Sequence, residues 1–262
     1  MSIICRCQDS GFFSCCSVKL TEIVKFINQY AKFPDYVDGT EQFQIYKKDK
    51  ADITYDYFEH YDHITINSPI CYPISYHWNR QFMDYSKLDY KNIIPLVKKY
   101  FSPSKQILNN VEAIKNKYQI EYDNTIAVYY RGTDKCSETI IADFDSFYNK
   151  IKVISNLYPN KKIIIQTDTA QFVDYINAKN LKNLIIFNEN STSYSSKGIH
   201  IEKTPQENGQ DMIKLFSIFL ILSKCNYIIC GSGNVSIWMM FYRENSKNVH
   251  QFLNGTWYKT VA

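Results

Sequence analysis

From about residue 124 the chain alternates short apolar runs with amphipathic segments, and that alternation restricts the fold more than any other feature. Residues 125–130, 162–166, 183–187, 227–230 and 249–252 read as buried strands, rich in Ile, Val and aromatic residues. Between them, residues 144–157, 170–178, 210–224 and 235–242 read as helices. Repeated strand–helix units of this length predict an α/β fold built on a doubly wound, mostly parallel sheet. In such a sheet ligands bind outside the carboxyl ends of the strands, so the residues that follow each strand are the first place to look for chemistry.

The first half is less regular. Residues 3–7 read as a strand, 8–14 as a glycine-containing turn and 15–30 as a helix; 43–46 read as another strand, and 52–86, crowded with Tyr, His and Asp, as loops. Ser102-Pro103 supplies an N-cap and first-turn proline for a helix reaching about residue 118, which is read as joining the halves. The expected organisation is an N-terminal α/β domain over residues 1–101 and a C-terminal nucleotide-binding domain over 102–262.

A chain of 262 residues with 45% hydrophobic content is long enough to bury a full core. No run of about eighteen apolar residues occurs, and the N-terminus lacks the pattern of a secretory signal. The eight cysteines include no Cys-x-x-Cys pair, so reduced thiols and a cytoplasmic location are expected. The formal charge of +4 is small and the lysines are scattered, which gives no footprint for nucleic acid.

Three segments stand at strand ends. Tyr130-Arg131-Gly132-Thr133-Asp134-Lys135 follows the first strand of the second half. An arginine there offers a rigid fork of donors that matches phosphate oxygens and can neutralise a departing diphosphate, with Asp134 orienting it. Without further context the same residues are a solvated loop ion pair. Cys230-Gly231-Ser232-Gly233-Asn234-Val235-Ser236 runs from strand through glycine turn into helix, where backbone donors favour an anion. It comes too late in the chain for a dinucleotide fingerprint, which leaves no nicotinamide site. Thr167 and Asp168 end a strand and are placed to hold a ribose or base, or simply to cap a helix. Asp143-Phe144-Asp145 has the form of an acidic metal-binding pair, but acidic residues opening a helix are better read as capping, and no metal is called for. The five histidines are dispersed and form no zinc pair, and neither a Gly-x-Ser-x-Gly elbow nor a phosphate loop is present.

Taken in order, several segments resemble the fucosyltransferases of the nodulation and N-glycan-core α1,6 type, including their shorter microbial and viral relatives. IAVYYRGTDK (126–135) resembles that family's strand ending in His-x-Arg-Arg-x-Asp-Lys; residues 209–230 resemble its helix–strand unit, GSGNVSIWMMFYR its following loop and helix, SGFFSCCSVKL its opening glycine loop, and YFSPS its linker. The resemblance implies a fold of two Rossmann-like domains of the GT-B kind, no cofactor or metal, GDP-fucose as the donor, a glycan as the acceptor and inversion at the anomeric carbon. Arg131 and Asp134 then carry the catalytic roles. Gly11, Phe12, Tyr129, Arg131, Lys135, Thr167, Asp168, Asp211, Ser232, Gly233, Asn234, Val235 and Ser236 form the donor site. Gly132 stands where the family has a second arginine and Tyr129 where it has a histidine; Ile218 falls near the family's base-contacting acid, with Asp211 a few residues earlier. The proton acceptor is expected from the first half, from Asp35, Asp38 or the 52–77 region. The rival reading is a degenerate transferase fold that binds nucleotide or glycan without turnover.

Overall fold

In the computed structural model, which describes residues 1–6, 10–66 and 69–260, the second half builds the expected sheet. Its strands are β3 (Thr125–Tyr130), β4 (Lys162–Thr167), β5 (Leu184–Ile186), β6 (Tyr227–Gly231), β7 (Val249–Leu253) and β8 (Thr256–Lys259), in the spatial order β5-β4-β3-β6-β7-β8. All pairs are parallel except β7 with β8. The chain adds β4 and β5 on one side of β3 and then returns to place β6 on the other, so the strand order reverses between β3 and β6. The register sets Tyr130 beside Thr167 and Tyr129 beside Cys230, which brings the loops beginning at Arg131, Asp168 and Gly231 to one edge.

Alternation along the strands sends side chains to opposite faces. One face carries Ile126, Val128, Tyr130, Ile163, Ile165 and Ile229 against α5 (Phe144–Leu157) and α6 (Ala170–Ala178). The other carries Ala127, Tyr129, Ile164, Ile228 and Cys230, packed on α7 (Pro205–Lys224) and α8 (Asn234–Arg243) and, through them, on the first half of the chain.

That first half holds β1 (Ser2–Ile4), α1 (Phe12–Tyr30), β2 (Tyr36–Asp38), the single turn α2 (Thr54–Tyr57), α3 (Tyr90–Tyr100) and α4 (Lys105–Lys117). Parallel β1 and β2 joined by α1 make one β–α–β unit, a smaller structure than the Rossmann-like sheet expected there. Residues 43–46 form not a strand but a tight 3-10 turn, because Phe43 sits at φ 61°. The helix expected from residue 15 starts at Phe12, and the cap expected at Ser102 is Ser104 instead, with Pro103 drawn into a bridge to Phe58. Cys7 and the start of the glycine-containing turn lie outside the described residues. Among the described residues no helix is long and apolar enough to cross a membrane.

The two halves share one core, which runs from Cys5 to Val249 across the expected boundary at 101/102. Trp238 of α8 is at its centre, fully buried, with its ring 4.7 Å from Phe101, 5.8 Å from Phe13 and 5.5 Å from Phe241. Its indole N–H donates to Ser17 Oγ at 2.9 Å, and that hydroxyl donates to Asn234 Oδ1 at 2.8 Å, so the polar end is satisfied as well. Trp238→Ala removes packing from both halves and is expected to lower the unfolding free energy by about 3–5 kcal/mol. Trp78→Ala, at an exposed position, is expected to change it by less than about 0.5 kcal/mol. Urea denaturation followed by circular dichroism measures both; equal effects would contradict the shared core.

Candidate functional site

The loops after β3, β4 and β6 open onto a cleft of about 430 Å³ at the carboxyl edge of the sheet, closed on its far side by the start of α1, Tyr46 and Trp78. This is the strand-order reversal, where diverging loops leave a crevice. Of the residues expected at the site, the cleft is lined by Gly11, Phe12, Tyr129, Arg131, Asp134, Lys135, Thr167, Asp168, Asp211, Asn234 and Val235. Ser232, Gly233 and Ser236 lie instead around a small recess behind Lys135 and Arg131. There Ser232 Oγ donates to Phe252 O, and Gly233 N donates to the Tyr85 hydroxyl at 3.1 Å; these residues shape the loop. Gly233 adopts φ +154°, and a Cβ there would fall 2.9 Å from Lys135 Cε, so glycine is needed both for the turn and for the lysine to pass.

Arg131 is held by two carboxylates. Its Nη2 donates to Asp134 Oδ1 and Oδ2 at 2.8 and 3.0 Å, and its Nε lies 3.6 Å from Asp168 Oδ2. Asp168 is fixed in turn by the Thr133 hydroxyl (2.8 Å), the Thr169 hydroxyl (2.9 Å) and the Gly132 N–H (3.2 Å). Burial works against the charge on Asp134, but the adjoining guanidinium outweighs it and holds the carboxyl below its ordinary value. Burial also works against the guanidinium, which Tyr129, Asp168 and Asp134 nevertheless keep firmly protonated. The arginine side chain retains 27% exposure, toward the cleft. A fork so oriented is set for an anion without rearrangement.

Lys135 is almost wholly buried, with 5% of its side chain exposed. Its ammonium donates to Glu138 Oε2 at 2.6 Å, approaches Gln81 Oε1 at 3.4 Å and lies 5.0 Å from the Phe82 ring centre. Burial lowers its pKa, opposed by Glu138. A second polar group gathers around Asp211: Lys203 pairs with its carboxylate and donates to Ser191 Oγ, Lys214 stands 3.6 Å away, and Asn190 Nδ2 donates to the Asp211 carbonyl at 2.9 Å. Ile218, the other residue considered near this place, is buried in the core.

Arg131, Lys135 and Lys203 thus face four carboxylates in the cleft, Asp134, Glu138, Asp168 and Asp211, and side-chain charge alone gives it no attraction for anions. The backbone supplies it. α1 and α8, of 19 and 10 residues, both begin at the cleft, and their N-cap residues, Gly11 and Gly233, have no side chain to cap them. Each helix start contributes about half a positive charge with donors aimed outward. The Phe12 N–H is taken up by the Tyr46 hydroxyl at 2.9 Å, whereas a Cβ on Gly11 would meet nothing within 4 Å, so the space above Gly11 is open.

Several lining residues went unread in the sequence. Gln166 and Asn190 each keep a buried side-chain oxygen without a hydrogen-bond partner. Glu138 follows Lys135 at a three-residue spacing, a legible turn pairing. His200 arrives on the long loop before α7, where no pattern marks it; burial lowers its pKa, the Arg131 guanidinium adds to that, and it is neutral at physiological pH. Asp35 and Asp38, expected as proton acceptors, lie away from the cleft: Asp35 pairs with the amino terminus and Asp38 accepts from Thr40 N at 2.8 Å. No residue of 52–66 or 69–77 lines it either. Asp143 caps α5 through Ser146 N, and Asp145 accepts from Tyr175. Among the described residues no three His, Cys, Asp or Glu side chains converge as metal ligands do.

Inorganic pyrophosphate tests the anion geometry by calorimetric titration. Arg131→Ala is expected to weaken its binding about 10- to 100-fold, as for loss of a charged hydrogen-bond donor; unchanged affinity would remove Arg131 from the site.

The sequence matches no protein-family profile and no curated protein. The fold is similar to that of the NodZ alpha-1,6-fucosyltransferase soaked with GDP-fucose, with a TM-score of 0.61 at 12% identity over 98% of each chain. The fucosyltransferase NodZ from Bradyrhizobium gives 0.61 at 11% identity over 99% of this chain and 98% of that one. The NodZ enzyme co-crystallized with GDP gives 0.59 at 12% identity over 99% and 98%. The likeness is one of fold, and over nearly its whole length the chain is built as NodZ is.

Proposed function

We propose that the protein transfers fucose from GDP-fucose to a hydroxyl of a glycan, without a metal ion and with inversion at the anomeric carbon. The observation that carries this reading is the pairing of two different subsites in one cleft. One is a preset arginine beside two helix starts. The other is a set of acceptors left buried and unpaired. The first suits a diphosphate. The second, with Asn190 Oδ1 and Gln166 Oε1 in the same cleft as the Asp211 carboxylate that Lys203 already pairs, suits a ligand rich in N–H and O–H donors. A buried unpaired carbonyl is costly, by about 1–3 kcal/mol, and a ligand donor relieves that cost. Guanine offers an N1–H, an exocyclic amine and a carbonyl to this group, whereas uracil offers a single N–H. The fold shared with an enzyme studied with GDP-fucose and GDP agrees with the assignment.

In the reaction the acceptor hydroxyl attacks the anomeric carbon as the bond from that carbon to the β-phosphate oxygen breaks, and GDP leaves. Arg131 and the backbone donors at the start of α8 take up the charge that develops on the diphosphate. In this reading Arg131 and those backbone donors do the work that a divalent ion would otherwise do. The hydroxyl proton passes to Glu138. All four carboxylates in the cleft have a cationic partner, Asp134 and Asp168 in Arg131, Asp211 in Lys203 and Glu138 in Lys135, and of the four Glu138 is the most exposed, at 43%. Asp35 and Asp38, by contrast, do not line the cleft.

Gly132 favours a second reading, binding without turnover. A Cβ at this residue would fall 2.7 Å from Tyr130 Cε1, so the loop as built excludes an arginine there, and one positive charge is missing from the leaving-group site. Thermal shift and nucleotide release separate the readings. Transfer predicts that GDP raises the melting temperature while UDP and dTDP leave it unchanged, and that GDP-fucose yields GDP at a rate that Arg131→Ala abolishes. Stabilisation by GDP with no release establishes the binding role; no stabilisation by any nucleotide overturns both. Glu138→Gln is expected to lower kcat about 10²- to 10³-fold with GDP affinity unchanged; a loss confined to GDP affinity would remove Glu138 from proton transfer.

A further inference from the structure

Trp78 lines the cleft yet keeps 46% of its surface exposed, so a large apolar ring stands at the open rim of a polar site. Nothing in the donor chemistry uses it. A side chain that contributes little to the core and presents a flat face to a ligand cleft is placed to receive a flat apolar ligand face. The ring is also held still. It opens a five-residue 3-10 turn, Trp78–Phe82, whose preceding residue His77 accepts from Asn79 N at 3.4 Å and packs its own ring 5.2 Å from the indole. The far end of the same turn meets the catalytic loop: Gln81 approaches the Lys135 ammonium at 3.4 Å and the Phe82 ring lies beneath it. Further along, Tyr85 N donates to Gln251 Oε1 at 3.0 Å, and Gln251 Nε2 donates to Met83 O and to Ser232 Oγ, both at 2.8 Å. The segment bearing Trp78 is therefore fastened to the carboxyl edge of β6 and β7 and, through Gln81 and Phe82, to Lys135, and Trp78 lines the same cleft as Glu138.

We propose that Trp78 is the platform on which an acceptor sugar stacks, a pyranose with equatorial substituents whose C–H face covers the indole while its hydroxyl is presented to Glu138. The proposal rests on the reading of this cleft as the active site of a sugar transferase. Equatorial substitution matters because it leaves axial C–H bonds as a continuous apolar face, and dispersion over that face requires flatness. β-Linked gluco-configured oligosaccharides meet the condition along their whole length; free nucleotides are accommodated elsewhere in the cleft.

Intrinsic fluorescence tests the platform apart from catalysis. Chitotetraose and cellotetraose at millimolar concentration are expected to quench and blue-shift the emission of the wild-type protein and to leave Trp78→Phe unchanged. Absence of any change with both oligosaccharides, or the same change in Trp78→Phe, overturns the proposal. Kinetics supply the second arm. Trp78→Ala is expected to raise the acceptor KM about tenfold, the size of one lost aromatic contact, and Trp78→Phe to recover most of that loss. A fall in kcat without a change in KM would assign Trp78 a structural part and overturn the platform. If the wild type quenches with oligosaccharide but releases no GDP, the transferase reading fails and the platform stands as a glycan-binding surface. If GDP is released and no quenching occurs, only the platform fails.

Discussion

Because β4 and β5 extend the sheet on one side of β3 and β6 to β8 on the other, the loops after β3 and β6 part company at the carboxyl edge, and the rest of the site follows from that separation. The loop after β3 delivers Arg131, the one after β4 delivers Asp168 to hold it, and the one after β6 delivers the start of α8. The first half of the chain then completes the crevice by packing α1 on α8 around Trp238, which turns the start of α1 toward the same space. The shared core and the cleft are thus two consequences of one topology. Loss of the Trp238 contacts would loosen the wall that faces the donor residues as well as the fold.

Electrostatically the cleft works by placement. Three cations are set against four carboxylates, so long-range attraction for an anion is weak, and specificity has to come from fixed donors and acceptors at short range. Arg131 illustrates the cost and its remedy. A guanidinium with this little exposure is poorly solvated, and Asp134 and Asp168 restore what water would have provided while fixing its plane. The orphaned oxygens of Gln166 and Asn190 are the reverse case, buried acceptors that find no hydrogen-bond partner among the described residues. Gly132 and Gly233 mark how tightly the loops fit around these side chains.

The second half of the fold was legible because each strand is an unbroken apolar run and each crossover helix has its own periodicity. Arg131 was legible as the residue after such a run. Asp143 was legible as a helix cap, and its carboxylate accepts from Ser146 N at the start of α5. The hairpin of β7 and β8 was missed although Asn254-Gly255, both at positive φ, is a strong two-residue turn signal. β2 and α3 were missed because three-residue strands and a helix containing Pro95 carry little periodic signal. Exposed carboxylates such as Asp35 and Asp38 look alike in sequence, and only the turn after Lys135 shows that Glu138, rather than either of them, lines the cleft. Gln166, Asn190 and His200 owe their place to long-range packing, which local sequence does not encode.

The account stands on Arg131 meeting the donor diphosphate, and a crystal structure of the protein with GDP tests that contact most directly. The account predicts diphosphate oxygens within hydrogen-bonding distance of the Arg131 guanidinium and of the backbone at the start of α8, with the guanine edge against Asp211 and Asn190. A nucleotide bound elsewhere, or one seated in the cleft with its phosphates turned away from Arg131, would contradict it.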